Sequence, residues 1–100
     1  MEIKIQSINF DATEKLQAFI DKKVAKLEKT FEDIQKVEVQ LKVVKPATAL
    51  NKETSVTVTI PGTAPIHVEK TNDTFEEGID LCVDSLRVQL QRIKEKTRNY

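Results

Sequence analysis

The chain has 100 residues, 39% hydrophobic and 32% charged, and its 16 basic and 16 acidic side chains give a formal net charge of zero. This length fits one globular domain, and no stretch approaches the roughly 20 apolar residues that a membrane-spanning helix needs. The N-terminus alternates polar and apolar residues, unlike a signal peptide, so we expect a cytoplasmic protein. The single cysteine, Cys82, has no cysteine or histidine neighbour at ligand spacing, which argues against a disulfide scaffold and a zinc site and predicts a small core residue.

The first third of the chain predicts a strand and then an amphipathic helix. Residues 2–6 alternate polar and apolar, which is the period of a half-buried strand. Asp11 and Glu14 predict a capping box, after which the helix should run to residue 31 or 32. Its apolar face recurs at steps of three and four: Leu16, Phe19, Ile20, Val24, Leu27 and Phe31.

Three more strands are predicted in the middle of the chain. Alternation with period two returns over 35–43 and, after a loop at 45–52, over the β-branched run 55–60. A turn at 61–63 leads to a short fourth strand at 66–69. Each of these strands therefore has one apolar face.

The last segment predicts a long second helix from about residue 74 to residue 98. Asp73 and Glu76 predict another capping box, and Gly78 is the one weak helix former. The apolar face comprises Phe75, Ile79, Cys82, Val83, Leu86, Leu90 and Ile93. The first half is acidic up to Asp84, and the second half carries basic residues: Arg87, Arg92, Lys94, Lys96 and Arg98. This polarity complements the helix dipole, and it also suits an anionic partner.

The element order β-α-β-β-β-α predicts an α+β fold. Strands with one apolar face and helices with one apolar stripe pack as a two-layer sandwich. We expect a four-stranded, largely antiparallel sheet with two helices packed on one face and the other face in water. The whole chain, residues 1–100, should form a single domain.

Nothing in the sequence predicts catalysis, a metal site or a cofactor. His67 has no carboxylate or serine partner recognisable from spacing, so an exposed strand residue is the favoured interpretation. The acidic residues of the second helix lack the loop spacing of a calcium site: Glu76, Glu77, Asp80 and Asp84. With two glycines and no aromatic-rich strand pair, there is no phosphate-binding glycine loop and no base-stacking sheet.

The first helix separates its charges onto two flanks of the apolar stripe. One flank, here called the lysine flank, comprises Lys15, Lys22, Lys23, Lys26 and Lys29. The other flank comprises Glu14, Asp21 and Glu28. A solvated face laced with ion pairs is one explanation of this pattern. Together with the basic end of the second helix, a surface that follows a phosphate backbone is the better one.

The chain resembles the ribosome hibernation-promoting factors and ribosome-associated inhibitors, a family also labelled sigma-54 modulation proteins. Residues 79–96 resemble that family's last helix, whose pattern is roughly I-D-x-x-x-x-K-L-x-x-Q-L-x-K-x-K-x-K. Residues 19–29 and 58–62 resemble its first helix and its third strand and turn. The departures are Ser85 at the usual lysine position and the acidic pair at 76–77. The resemblance covers essentially the whole chain and implies the short form, without a C-terminal dimerisation domain.

The resemblance implies a ribosome-binding translation inhibitor. Members bind the small ribosomal subunit, its RNA and proteins, in the channel for messenger and transfer RNA, and block translation under stress or in stationary phase. The residues expected to bind ribosomal RNA are Lys22, Lys23, Lys26, Lys29, Arg87, Arg92, Lys94 and Lys96. No membrane or small-molecule partner is expected. The alternatives are a sigma-54 transcription modulator acting through protein contacts, and an enzymatic or small-molecule-binding sandwich.

Overall fold

The protein is described here from a computed structural model that covers residues 1–44 and 50–98, with side chains described up to residue 96. Its elements are β1 (Glu2–Ile8), α1 (Glu14–Ala25), α2 (Leu27–Thr30), β2 (Lys36–Val43), β3 (Lys52–Thr59), β4 (Ile66–Asn72) and α3 (Phe75–Arg98). The predicted loop over 45–52 falls mainly on residues 45–49, which lie outside the described residues. The predicted α+β class and element order are confirmed, with the first predicted helix divided into α1 and α2.

The four strands form one mixed sheet in the order β1-β2-β3-β4. β3 pairs antiparallel with both β2 and β4, whereas β1 pairs parallel with β2. The parallel pair follows from connectivity, because a helix and not a hairpin joins β1 to β2. The register aligns Ile5, Val39, Val56 and Val68 in one row across the inner face of the sheet.

The helices cover that inner face, as predicted. Ile20, Val24 and Leu27 from α1 and α2 are buried in the same core as the sheet residues. The stripe predicted for α3 is buried too, and Leu86 and Leu90 are fully inaccessible. Cys82 lies in this core, where its thiol donates to the carbonyl of Thr54 at 3.8 Å. Burial raises the pKa of Cys82 to about 11, so the thiol is an inert core group.

Threonines cap the helices, and the predicted aspartate caps are wrong. Thr13, extended at φ −69° and ψ 157°, accepts the Leu16 N–H at 3.1 Å. At the other helix Thr74 accepts the Glu77 N–H at 3.2 Å. Asp73 instead accepts the backbone N–H of Leu50 at 2.7 Å. A cap must stand immediately before the first helical residue, and Asp11 lies too early for α1.

Gly78 allows α3 to approach the sheet closely. A Cβ at this position would collide with Thr54 Oγ1 and would lie 3.0 Å from Thr54 Cβ and 3.3 Å from Asn72 Oδ1. Glycine at this position therefore allows α3 to contact β3 closely, and this contact offsets the weak helix propensity of glycine.

Candidate nucleic-acid interface

The helical layer is built from α1 and α2 lying beside α3. Lys23 Nζ of α1 is 3.1 Å from Asp80 Oδ1 of α3. Further along, Lys29 of α2 lines a groove whose other wall includes Gln91 and Lys94 of α3. The later residue of the first segment thus meets later residues of α3. The two helical segments therefore run in the same direction. Their basic C-terminal halves therefore lie side by side.

The lysine flank is the side of α1 and α2 that meets α3. Lys23 pairs across to α3, and Lys29 shares the groove with α3. The acidic flank points the other way, since Glu28 Oε2 lies 3.5 Å from the amino group of Met1, next to β1. The packing thus turns the lysine flank toward α3, whose second half is basic.

The predicted basic residues of α3 divide between its two flanks. Asp80, Arg87 and Lys94 recur every seven residues, which places them on the side that faces α1. Arg92 and Lys96, one turn apart, lie on the opposite flank. The side chain of Arg98 lies outside the described residues. Among the described side chains of the predicted α3 set, Arg87 and Lys94 thus share a surface with the lysine flank.

Most of the predicted cations are exposed and unpaired. Within residues 1–44 and 50–96, Lys22, Lys26 and Lys29 are exposed and make no ion pair. The predicted site residues of α3 are exposed as well, apart from the half-buried Lys94. An ion-pair network is therefore not what occupies the lysine flank, and these charges are available to an anionic partner.

Lys23 differs from its neighbours on the flank. Its side chain is 30% exposed, pairs with Asp80, and places Nζ 5.5 Å from the ring centroid of Phe19. Its partner Asp80 could not be predicted from the sequence, because the contact joins two helices far apart in the chain. Gln91 and Thr30, which line the groove with Lys29 and Lys94, were also missed.

The outer face of the sheet gives His67 partners that the sequence did not predict. Its Nδ1 lies 2.8 Å from Thr57 Oγ1, and its Nε2 lies 3.3 Å from Ser55 Oγ. His67 is an exposed strand residue, as predicted, and the register of β3 and β4, which sequence spacing does not reveal, brings Thr57 and Ser55 to it. No hydrogen bond or ion pair joins this imidazole to a carboxylate among the described residues.

Residues 1–44 and 50–98 contain no group of three or more His, Cys, Asp or Glu side chains arranged to hold a metal ion. In the same part of the chain, no helix has the length and apolar character needed to cross a membrane.

A two-layer α+β domain whose exposed helical lysines lie beside the basic half of a second helix has features that nucleic-acid-binding domains share. The chain belongs to the family described as sigma 54 modulation protein / S30EA ribosomal protein, whose model matches residues 3–98. The family resemblance predicted from the sequence is thereby confirmed.

Relatives and solved structures agree with this assignment. The chain is 34% identical over 100 residues to the ribosome hibernation promoting factor of Salmonella typhimurium and 32% identical to that of Escherichia coli, covering 100% of both partners in each case. It is 30% identical over 97 residues to the ribosome hibernation promotion factor of Staphylococcus aureus, covering 96% of this chain but only 50% of that relative.

Two solved structures share the fold. A ribosomal subunit interface protein from Coxiella burnetii matches with a TM-score of 0.83 at 22% identity, covering 95% of this chain and 99% of that one. The N-terminal domain of Protein Y from Thermus thermophilus matches with a TM-score of 0.78 at 25% identity, covering 93% of this chain and 99% of that one. The two-layer fold predicted from the sequence is thus one already known in solved structures.

Proposed function

We propose that this chain is a ribosome hibernation factor that binds ribosomal RNA of the small subunit through the basic C-terminal halves of its helices. The observation that carries the proposal is the surface formed by unpaired lysines of α1 and α2 beside Arg87 and Lys94 of α3. The names of the relatives that match along their full length support ribosome hibernation.

The chemistry of this surface suits a phosphate backbone better than any base sequence. Lysine is a flexible point charge, and contacts to phosphate position a protein on RNA without reading sequence. The groove between Lys29 and Lys94 is also lined by the neutral hydrogen-bonding side chains of Gln91 and Thr30 and by one acid, Glu95. Each phosphate neutralised releases counterions, so binding should weaken steeply as salt rises.

The inhibitory mechanism needs no bond to be made or broken. A sheet covered on one face by closely packed helices is a rigid body, because its core is fully inaccessible at positions such as Leu27, Val37 and Leu86. Its basic surface would hold the protein in the channel for messenger and transfer RNA. There it would block both RNAs sterically. Such a factor acts in the cytoplasm, where ribosomes assemble and initiate.

The family description also contains the sigma-54 label, which keeps transcriptional modulation as the alternative. The relatives' names favour the ribosome over this alternative. A basic surface is also a better match to RNA than to a protein partner of unspecified charge.

Sedimentation through sucrose gradients tests the proposal. We expect purified protein to travel with isolated small subunits, to be displaced as salt rises, and to compete with messenger and initiator transfer RNA. Isolated large subunits and purified sigma-54 are the controls. Binding to sigma-54 but not to small subunits would favour the transcriptional alternative.

A further inference from the structure

The structure contains one ion pair between α1 and α3 among the described side chains, Lys23 with Asp80 at 3.1 Å. Both partners remain partly accessible, at 30% and 50% exposure. Such a partly exposed pair contributes little to the free energy of folding. Its position is more informative than its strength, because it joins the helices that carry the two halves of the basic surface.

The pair stands just before the point where the first helical segment is interrupted. At Lys26 the helix tightens, with its N–H bonded back to the carbonyl of Lys23 at 3.2 Å, and α2 begins at Leu27. Lys29 lies on this short second segment, in the groove opposite Lys94. The ion pair lies before the interruption and the fully buried Leu27 lies after it, so that both stand next to the segment that carries Lys29.

We infer that Lys23 and Asp80 form a positioning pair, which fixes the spacing of α1 and α3 so that Lys29 and Lys94 flank one phosphate-binding groove. The inference rests on the proposed function, and it removes Lys23 from the set of phosphate ligands. An unpaired aspartate beside this surface would repel RNA. Pairing with Lys23 compensates the charge of Asp80, while Glu95 is the acid that lines the groove itself.

The sign of the effect of two substitutions on binding to purified small ribosomal subunits tests the inference. We expect Asp80→Asn and Lys23→Gln each to weaken binding about threefold or more. The double variant should bind no less tightly than whichever single variant has the lower affinity. Asp80→Glu and the exchanged pair Lys23→Asp with Asp80→Lys should restore binding. Asp84→Asn, which removes an exposed acid from the same helix, should leave affinity unchanged or slightly higher.

The opposite result would overturn the inference. If Lys23 contacts phosphate, Asp80→Asn will tighten binding and steepen the dependence of log affinity on log salt by roughly 0.7–0.9, as one released lysine should. Failure of the exchanged pair to restore binding would also count against a positioning role.

A second measurement does not depend on RNA binding. Spin labels attached to Lys29→Cys and Lys94→Cys report the width of the groove as a distance measured by pulsed electron paramagnetic resonance. The native Cys82 should not be labelled, because it is buried. We expect Asp80→Asn to broaden this distance distribution and Asp84→Asn to leave it narrow. An unchanged distribution in Asp80→Asn would refute the positioning pair even if the protein binds ribosomes, whereas a broadened one without ribosome binding would refute only the proposed function.

Discussion

The helical face and the outer face of the sheet are both exposed and both rich in charge, but they arrange it in opposite ways. On the sheet, register places acids beside bases: Glu38 lies opposite Lys4 and 3.4 Å from Lys36, and Glu53 lies opposite Lys42. On the helices, charges of one sign are gathered. The lysine flank meets the basic half of α3, and the acids occupy the far flank and the start of α3, apart from Glu95 at the groove.

The difference shows that a net charge of zero describes neither surface. Neighbouring opposite charges on the sheet cancel within a few ångströms, so that face offers little field to a polyanion. Charges of one sign along the helices add, and they add most where the two basic halves lie together. Partner choice is therefore set by where each element places its charges, and the total does not reveal it.

The largest expected effect separates the two faces directly. Reversing Lys22, Lys26 and Lys29 to glutamate should abolish sedimentation with small subunits and leave the melting temperature nearly unchanged, because exposed charges contribute little to folding. The control reverses the same number of lysines on the sheet: Lys4, Lys36 and Lys42. Equal loss of binding in both triple variants would mean that total charge, and not the helical face, determines binding.

The second prediction concerns the core that supports both faces. Leu86 is fully buried, so Leu86→Ala should lower the free energy of unfolding by about 2–5 kcal/mol, as a cavity opens under α3. Val88, two residues further and 51% exposed, provides the control, and Val88→Ala should cost less than about 0.5 kcal/mol. Urea denaturation measures both. A loss under about 1 kcal/mol for Leu86→Ala would show that this core position collapses without cost.

The third prediction asks how far the basic surface extends around α3. Arg92→Gln with Lys96→Gln should weaken small-subunit binding about tenfold and lower its salt dependence. Arg87→Gln with Lys94→Gln, on the flank facing α1, should weaken it at least as much. If only the second pair matters, RNA contacts are confined to the groove side. If neither does, these charges only complement the helix dipole.

The fourth prediction tests the close contact that seats α3 on the sheet. Alanine gains about 1 kcal/mol over glycine in a helix, but overpacking costs about 1–3 kcal/mol. Because a Cβ at residue 78 collides with Thr54, we expect Gly78→Ala to be destabilising by about 1 kcal/mol in thermal or urea unfolding. Ser85→Ala, on the same flank of α3, should be neutral or slightly stabilising. A stabilised Gly78→Ala would show that α3 shifts freely.

The smallest effect is expected on the sheet face, where Glu53 and Glu69 are diagonal neighbours. Burial, and then Glu69, raise the pKa of Glu53 above its ordinary value. The native state then holds this proton more tightly than the unfolded state, so stability falls as pH rises from the ordinary glutamate range through the raised pKa.

Glu69→Gln should reduce that pH dependence and add about 0.2–1 kcal/mol at pH 7, since like charges near each other on a sheet are destabilising. Glu38→Gln, which removes an ion-pair partner of Lys36, should not stabilise the protein. Urea midpoints measured from pH 4 to pH 8 compare the two. An unaltered pH profile in Glu69→Gln would exclude repulsion by Glu69 as a cause.

Periodicity predicted much of the fold because apolar spacing is a local property. The stripe through Leu86 and Leu90 and the alternation around Val39 are both buried as expected. Two details of the fold could not be predicted from the spacing of apolar residues: the helix caps and the direction of β1. The caps moved to Thr13 and Thr74 because capping depends on where the helical dihedrals begin. The parallel pairing of β1 and β2 depends on how α1 crosses the sheet.

The candidate site was predictable only one element at a time. Wheel positions separated the lysine flank from the acidic flank of the first helix. They did not reveal that Lys23 meets Asp80, or that Lys94 shares a groove with Lys29 while Arg92 lies on the other flank of α3. These relations depend on the direction and rotation of packed helices, which tertiary contacts determine.

The parallel pairing of β1 also bears on the order of folding. β2, β3 and β4 follow one another in the chain and pair as antiparallel neighbours. β1 is separated from its partner β2 by α1 and α2, so this pairing joins segments farther apart in sequence. Contacts between segments distant in sequence form late, since loop closure must come first. The N-terminal strand of this sheet is thus expected to be the last to join it, and the amides of β1 are expected to be the first of the sheet to exchange with solvent.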